Sequence, residues 1–248
     1  MAQIITVAIQ KGGTGKTTTA AAIAQAAVYR GKKTLAIDLD PQGQYSFSLA
    51  ADTSRPGSYE LLNGEPAAGL IQHTSSGLDI IPASWNLSTI PAGQGAARRL
   101  QRMVEPIKDN YDYIVIDTPS AGILQYNGLQ AATGLVIPLL ADVFSLQSLY
   151  QITDTAQQIK KSNPALSITG IVITQFDGRS GIAKSMRDAI IQQAADMNIP
   201  YLGTIRHAVA VKEAAAFQKS LFEYAPKSKP AQDYLQVFDT IENRRAKK

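Results

Sequence analysis

A glycine-rich segment at Gln10–Thr18, QKGGTGKTT, contains the residue types that bind phosphate. It follows a short apolar run that favours a strand and precedes an alanine-rich stretch that favours a helix. Gly12, Gly13 and Gly15 allow backbone N–H groups to turn around phosphate oxygens, and the start of the helix adds its dipole. The order strand, glycine-rich loop, helix predicts a phosphate-binding loop.

The side chains at the end of this segment supply the remaining groups of a nucleoside triphosphate site. Lys16 can reach the β- and γ-phosphates, and the hydroxyl of Thr17 can ligate Mg²⁺. Thr18, one residue further into the helix, can donate to the α-phosphate. The segment therefore predicts nucleotide binding rather than a structural turn.

A second lysine, Lys11, stands at the entrance of the loop. The strict spacing G-x-x-x-x-G-K-[ST] would place glycine at position 10, where this chain has Gln10. Since Lys16 already serves its own loop, a cation at Lys11 on a dimer face could reach phosphates bound by a partner chain, as an arginine finger does. The alternative is a solvated lysine in a mobile loop.

Three aspartates follow predicted strands. Asp38 and Asp117 each come directly after a buried strand, and Asp40 lies two residues beyond Asp38, so an extended backbone would point both side chains the same way. A single aspartate in this place is usually a turn residue. Three of them suit phosphoryl transfer, which needs positioned charges and a placed nucleophile.

Strand and helix signals alternate along the chain, which indicates a mostly parallel sheet with helices on both faces, an α/β fold. Strands are predicted at residues 4–9, 34–37, 78–81, 113–116, 135–140, 168–174 and 201–205, and helices at 16–29, 96–108, 144–161, 182–197 and 232–245. Residues 50–94, rich in Gly, Ser and Pro, are expected to form loops or short helices. Ligands of such sheets bind at the carboxyl ends of the strands. We expect one domain over residues 1–248, with a basic C-terminal helix and tail at about 230–248.

The composition excludes several classes of protein. With 248 residues, 45% hydrophobic and 18% charged, the chain is that of a globular protein rather than a disordered one. No apolar run approaches the roughly 20 residues of a membrane span, and the N-terminus lacks the features of a signal peptide, so we expect a cytoplasmic location. The absence of cysteine excludes disulfides, thiol catalysis and iron–sulfur clusters. The two histidines, His73 and His207, argue against a polyhistidine metal site.

The excess positive charge is concentrated near the C-terminus. Residues 206–248 hold nine Lys or Arg and five Asp or Glu, whereas residues 1–205 hold fifteen of each, so this segment accounts for the net charge of +4. The asymmetry suggests a polyanionic partner; the alternative is a basic surface that maintains solubility.

Several segments together resemble the ParA/MinD superfamily. KGGTGKTT is similar to its deviant Walker A motif, and the likeness extends to DLDPQGQ (Asp38–Gln44), YIVIDTP (Tyr113–Pro119), TQFDGRS (Thr174–Ser180) and Val211–Tyr234. The resemblance covers essentially the whole chain and implies a P-loop NTPase fold. With no room before Ile4 for an additional DNA-reading domain, the chain resembles the small ParA type.

The resemblance implies a Mg²⁺-dependent ATPase, with ATP and Mg²⁺ as cofactors, that forms an ATP-sandwich homodimer. Lys11 would be the signature lysine that acts across the dimer. Asp40 would orient the attacking water, Asp38 would hold that water or the Mg²⁺ hydration shell, and Asp117 would bind Mg²⁺ through water. The nucleotide would be bound by Gly12, Gly13, Thr14, Gly15, Lys16, Thr17 and Thr18, and the metal ion by Thr17, Asp38 and Asp117.

Some positions depart from the family's pattern. The family usually continues its Walker B strand with two prolines, where this chain reads Pro119-Ser120, and the Asp38 segment departs at Gln44. Many relatives have Asn near Thr174 and Pro near Arg206, positions associated with adenine recognition. Triphosphate binding is therefore better supported than the choice of base.

Two functions are compatible with this resemblance. In the first, the ATP-bound dimer binds nucleoid DNA without sequence preference, and a ParB-like protein or a cargo adaptor stimulates hydrolysis and releases it. The cargo would be a plasmid, a chromosome region or a protein organelle; the altered Walker B loop suggests the McdA group, which positions carboxysomes.

Candidate DNA contacts are Arg179, Lys184 and Arg187 on one helix, then Arg206, Lys212, Lys219, Lys227, Lys229, Arg244, Arg245, Lys247 and Lys248, with Arg179, Lys184, Arg187, Lys212 and Lys219 preferred.

The second function is a MinD-like membrane cycle through an amphipathic C-terminal helix. An apolar stripe is present at Tyr234, Leu235, Val237, Phe238 and Ile241. Because only Ala246 is apolar beyond it, we interpret the stripe as the face that docks the helix onto the sheet, and expect no stable membrane association.

Overall fold

The computed structural model describes residues 2–93 and 95–246. Its strands belong to one eight-stranded sheet with the order β3-β4-β2-β5-β1-β6-β7-β8. All neighbouring strands are parallel except β3 and β4, which pair antiparallel at one edge. The strands are β1 (Gln3–Val7), β2 (Thr34–Asp38), β3 (Gln72–His73), β4 (Asp79–Ile81), β5 (Tyr113–Asp117), β6 (Gly134–Leu140), β7 (Ser167–Phe176) and β8 (Tyr201–Arg206).

Helices cover both faces of the sheet, as the continuous apolar strands predict. They are α1 (Lys16–Tyr29), α2 (Gln44–Ser48), α3 (Ser58–Leu62), α4 (Arg99–Val104), α5 (Ile123–Ala131), α6 (Phe144–Lys160), α7 (Gly181–Asp196), α8 (Val209–Ala216), α9 (Leu221–Tyr224) and α10 (Lys229–Arg245). One core cluster joins α1, α9 and α10 to one face, and two others join α3 to α7 to the opposite face. Ile4 and Ile5 point into clusters on opposite faces, as successive strand residues must.

The alanine-rich α1 lies against the centre of the sheet and begins directly after the phosphate loop. Its alanines from Ala20 to Ala24 are almost fully buried, because small side chains allow a helix to approach the strands closely. The helix ends in a Schellman motif: the N–H of Gly31 donates to Val28 and the N–H of Lys32 donates to Ala27. Gly31 adopts a φ of 75°, as expected of a glycine that ends a helix.

The expected α/β architecture is confirmed, and most predicted strands and helices differ from the structure only at their ends. The helix predicted at 96–108 is wrong in length: a 3₁₀ turn at Ala96–Arg98 precedes α4, which ends at Val104. Pro106 lies two residues beyond this end and has no N–H group with which to continue the helical hydrogen bonds. Residues 50–93 contain 3₁₀ turns and short helices, and also β3, which was not predicted; Gln94 lies outside the described residues.

The sequence analysis also predicted no helix at the positions of α5, α8 and α9. Helix α5 contains Gly128 and buries Asn127, whose side chain donates to the carbonyls of Ala96 and Ile123. A buried polar residue and a glycine obscure the apolar periodicity by which a helix is recognised in sequence.

Candidate functional site

The phosphate loop lies between β1 and α1 at the carboxyl edge of the sheet, where the sequence predicts it. Gly13 and Gly15 have φ angles of 72° and 80°, in the left-handed region that glycine adopts without strain. Both Gly12 and Gly13 are exposed, whereas Thr14 is fully buried. The loop thus presents exposed backbone beside the start of α1.

Lys16 is buried and held at both sides by tertiary contacts. Its Nζ donates to the carbonyl oxygen of Lys11 at 3.0 Å and to the hydroxyl oxygen of Ser120 at 2.7 Å. Burial lowers the pKa of Lys16 below its ordinary value, although Asp117 and Asp40 act in the opposite direction. The ammonium group is therefore positioned beside the loop and near two carboxylates.

Asp117, the last residue of β5, is completely buried beside Thr17. Its Oδ2 accepts a hydrogen bond from the Thr17 hydroxyl at 2.7 Å, while its Oδ1 is buried without a hydrogen-bond partner in the part of the chain that the structure describes. Burial raises the pKa of Asp117 well above its usual range, and the nearby Asp38 raises it further. A divalent cation at this position would compensate the negative charge of the buried carboxylate.

Asp38, at the end of β2, is also fully buried but has several hydrogen-bond donors. Its oxygens accept from the N–H of Asp40 at 3.0 Å, and from the N–H and hydroxyl of Ser46 at 2.8 and 2.7 Å. Burial raises the pKa of Asp38 to about 6, and these hydrogen bonds only partly oppose it.

Side-chain hydrogen bonds hold the backbone after β2. The bond from the Asp40 N–H to Asp38 closes one Asx turn, and the Gln42 N–H donates to Asp40 Oδ1 at 3.0 Å. The two aspartates consequently differ in environment: Asp38 is buried and Asp40 is only partly buried. Asp40 is still close enough to Lys16 and Asp117 to influence their pKa values.

These groups fit a Mg²⁺ ion bound with a nucleotide. Thr17 and Asp117 are in contact, and Asp38 interacts electrostatically with Asp117. Within residues 2–93 and 95–246 no group of three or more His, Asp or Glu side chains could hold a metal ion. Mg²⁺ commonly takes one or two carboxylates together with water and substrate phosphates, which is the set of ligands available here.

Lys11 forms an ion pair within its own chain. Its Nζ lies 2.6 and 2.8 Å from the two carboxylate oxygens of Asp142, and 5.7 Å from the centre of the exposed Phe144 ring. Asp142 also accepts hydrogen bonds from the N–H and hydroxyl of Ser145. The pKa of Asp142 lies below its ordinary value. Partial burial alone would raise it, but the hydrogen bonds from Lys11 and Ser145 have the larger, opposite effect.

The five preferred DNA contacts lie around α7 and α8, which follow the neighbouring strands β7 and β8, whereas Lys229, Arg244 and Arg245 belong to α10. Lys184 is exposed on α7, and Arg187 pairs with Asp188 while stacking on the Phe176 ring at 5.0 Å. The prediction that Arg179 shares their helix is wrong. The N-terminal cap of α7 is Ser180, so Arg179 lies in the preceding turn, where it pairs with Asp177.

The two preferred lysines of the C-terminal segment line cavities near the phosphate loop. Lys212, on α8, lines a cavity of about 120 Å³ that also contacts Gly15 and Thr18. Lys219 lines a cavity of about 430 Å³ between α1, α2 and α8. Lys247 and Lys248, the end of the predicted basic tail, lie outside the described residues.

Several contacts were not predicted from the sequence. Ser120, identified only as a departure from the family's Walker B pattern, accepts a hydrogen bond from Lys16. Ser46 binds Asp38, and Asp142 binds Lys11. The sequence did contain one indication of Ser120, namely a serine beside the Walker B strand where the family usually has proline. No local sequence pattern indicates the contacts of Ser46 and Asp142.

Comparison with known proteins places this geometry in a family. Residues 2–168 match the family described as "AAA domain". The chain is 34% identical to the chromosome-partitioning ATPase Soj of Thermus thermophilus, over 96% of this chain and 94% of that protein. The chain belongs to the ParA/MinD superfamily of P-loop ATPases.

Solved structures agree with this membership. The cobyrinic acid a,c-diamide synthase of Mycobacterium smegmatis with a bound ATP analogue and magnesium has a TM-score of 0.83 at 28% identity, covering 99% of this chain and 96% of that one. Apo McdA of Cyanothece also has a TM-score of 0.83, at 26% identity, covering 96% and 99%. The P-loop ATPase fold extends over nearly the whole chain.

The apolar stripe of α10 packs onto the sheet, as its interpretation predicted. Tyr234, Val237, Phe238 and Ile241 are almost completely buried in the core cluster of α1, and Leu235 packs against its margin. No helix among the described residues has the length and apolar character to cross a membrane. The stripe is therefore a docking face of the fold.

Proposed function

We propose that this chain is a positioning or partitioning ATPase of the small ParA type, with ATP and Mg²⁺ as cofactors. Its ATP-bound homodimer binds nucleoid DNA without sequence preference in the cytoplasm. A ParB-like protein or an adaptor on the cargo stimulates hydrolysis and releases the ATPase from DNA. The observation that carries this proposal is the combination of a phosphate loop bearing Lys11 with exposed basic residues on α7 and α8.

The residues of the site have two roles in phosphoryl transfer: some bind the nucleotide, and others position the attacking water. The backbone of residues 12–15 surrounds the phosphates, while Lys16 and Thr18 donate to their oxygens. Thr17 and Asp117 would hold Mg²⁺, which would neutralise charge on the phosphates. Asp40 orients the attacking water, and Asp38, with its three fixed hydrogen bonds, supports that water or the ion's hydration shell.

Lys11 acts on the nucleotide of the partner chain. In the single chain it is paired with Asp142 at the edge of the site rather than directed at its own phosphates. Dimerisation exchanges this carboxylate for the phosphates of the partner, whose greater negative charge makes them the stronger acceptor. The cation then stabilises charge that develops during phosphoryl transfer.

A mixture of two inactive variants tests action across the dimer. Lys11→Ala removes the cation, and Asp40→Ala removes the group that orients water. In a mixed dimer the nucleotide of the Lys11→Ala chain keeps its own Asp40 and receives Lys11 from the other chain. If Lys11 acts in trans, an equal mixture should regain about a quarter of the parental turnover, since half the dimers are mixed and each has one complete site.

The outcome is unambiguous because action within one chain gives the opposite result. If Lys11 serves its own nucleotide, every chain in the mixture lacks one essential group and turnover stays at the level of the separate variants. Mixing Lys11→Ala with Lys11→Ala at the same total concentration is the matched control.

Charge reversal on the basic surface tests DNA binding. Lys184→Glu with Lys212→Glu, in an Asp40→Ala background loaded with Mg–ATP, should reduce affinity for an arbitrary duplex and flatten its dependence on salt. Exposed Lys160 and Lys161, at the far end of α6, provide a control pair with the same charge change. Equal losses from both pairs would assign binding to net charge rather than to this surface.

The MinD-like alternative has a separate readout. Loaded protein is sedimented with anionic liposomes in parallel with the DNA measurement. We expect binding to DNA without retention on liposomes, because the apolar face of α10 is already buried. Retention on liposomes without DNA binding would favour the MinD-like membrane cycle over the DNA-binding function.

A further inference from the structure

The end of β7 carries an irregularity that directs a side chain toward the phosphate loop. The pairing of β7 with β8 shifts register between Ile173 and Phe176, so that one extra residue is accommodated in β7. Within this bulge Gln175 has a φ of 52°, in the left-handed region that non-glycine residues rarely adopt. Such bulges commonly redirect side chains beside active sites.

The bulge brings two consecutive side chains to two consecutive carbonyls of the loop. The hydroxyl of Thr174 donates to the carbonyl oxygen of Thr14 at 2.7 Å, and Nε2 of Gln175 donates to that of Gly13 at 2.9 Å. In a trans peptide the C=O and N–H point in opposite directions. Holding the carbonyl of Gly13 therefore directs the N–H of Thr14 to the other side, and holding Thr14 does the same for Gly15.

We propose that Gln175 is a positioning residue for nucleotide binding: its amide fixes the Gly13–Thr14 peptide so that the loop meets phosphate with its N–H group already oriented. Thr174 performs the same task for the next peptide, but it is buried and also contacts the carbonyl of Leu139, which gives it a role in packing as well. Gln175 is exposed, so its contribution can be separated from that of the core. The inference concerns the ATPase site and does not depend on the proposed cargo or on DNA.

A substitution that keeps the length of the side chain but removes the donor isolates this effect. Gln175→Met should weaken binding of Mg–ADP, measured by isothermal titration, about fivefold, which corresponds to one neutral hydrogen bond. Gln175→Glu should weaken it further, because a carboxylate faces the Gly13 carbonyl and repels phosphate. The midpoint of thermal unfolding without nucleotide should stay unchanged, as should turnover at saturating ATP, so that the defect appears in KM.

The chain provides a matched control for the substitution. Gln218 is also an exposed glutamine with a left-handed backbone, φ 53°, but it follows α8 and, within the described part of the chain, makes no hydrogen bond to the phosphate loop. Gln218→Met should leave the affinity for Mg–ADP unchanged. If Gln175→Met binds Mg–ADP as tightly as the parent, or if its only effect is a lower unfolding midpoint, Gln175 does not position the loop.

Discussion

The phosphate-binding edge of the sheet and the basic surface around α7 and α8 use charged residues in different ways. At the phosphate-binding edge, the buried groups Lys16 and Asp117 each have a partner about a hundred residues away: Lys16 contacts Ser120, and Thr17 contacts Asp117. On the basic surface, Arg179 pairs with Asp177, two residues away, in an exposed turn. One region is organised by the tertiary fold and the other by local sequence.

This difference determines how each region responds to change. Burial removes Asp117 from water and so raises its pKa, and the nearby Asp38 raises it further; removal of one buried group therefore affects its neighbours. Exposed pairs contribute little individually, because water and salt screen them. We therefore expect single substitutions to have large effects at the phosphate-binding edge, whereas the basic surface acts through its summed charge.

The largest expected effect is that of Lys11→Ala on turnover. A cation supplied across a dimer contributes on the order of 10³–10⁵ to phosphoryl transfer, and steady-state phosphate release should fall by an amount in that range. Lys33→Ala, which changes a lysine just before β2, is the control and should retain parental turnover. A loss of less than tenfold for Lys11→Ala would remove this lysine from the reaction.

The next effect is a dependence of stability on pH that arises from the buried aspartates. The pKa of Asp38 in the folded protein, about 6, exceeds its ordinary value of 3.8, so the folded state binds the proton more tightly. The contribution of Asp38 to the free energy of unfolding, measured with denaturant in the absence of magnesium as the difference between the parent and Asp38→Asn, should therefore be most favourable below about pH 4 and decline as the pH rises through 6. The shift of Asp38 corresponds to a decrease of about 3 kcal/mol.

Asp117→Asn sharpens this prediction, because the raised pKa of Asp117 acts in the same direction. The neutral amide can still accept from Thr17 through its oxygen, so the variant should be more stable than the parent at pH 8 and show a shallower decline. An Asp117→Asn variant that is no more stable than the parent at pH 8 would mean that Asp117 is not destabilising in the metal-free protein.

A smaller effect is expected from release of Lys11. Asp142→Asn removes the charge that pairs with Lys11 but can keep the hydrogen bonds to Ser145 through its oxygen. Since the pair is partly exposed, its loss should reduce the ATP concentration needed for dimerisation by no more than about fivefold. Sedimentation velocity in an Asp40→Ala background measures this; a higher ATP requirement would indicate that Asp142 supports the dimer instead.

The smallest effect belongs to single residues of the basic surface. Lys184→Ala should reduce the slope of log affinity for DNA against log salt by about 0.9, the value for one phosphate contact, and leave turnover unchanged. Arg179→Ala should change the slope less, because Asp177 already neutralises that side chain. An equally large change from Arg179→Ala would show that DNA displaces the Asp177 pair.

Most of the fold could be predicted from the sequence, because apolar strands alternating with helices are a local pattern. The predicted bounds of α1 agree with the structure, and those of α6 differ by one residue. The predictions were weakest where polar residues are buried, as with Asn127 in α5, because burial there depends on partners elsewhere in the chain. Within the site, the position of the loop between a strand and a helix was predicted, whereas its contacts with Ser120 and Gln175 were not.

By itself, the sequence determined that this chain binds a nucleotide through its loop and carries its excess charge at the C-terminal end. Glycine spacing beside a strand and a helix is a local signal, and charge is a sum that does not depend on folding. Only the tertiary structure decided that Asp142 holds Lys11, that Gln175 reaches Gly13, and that burial raises the pKa of Asp38 to about 6. The contacts of Lys11 with Asp142 and of Gln175 with Gly13 join segments more than a hundred residues apart, and the burial of Asp38 depends on the packing of the whole sheet, so no local pattern encodes them.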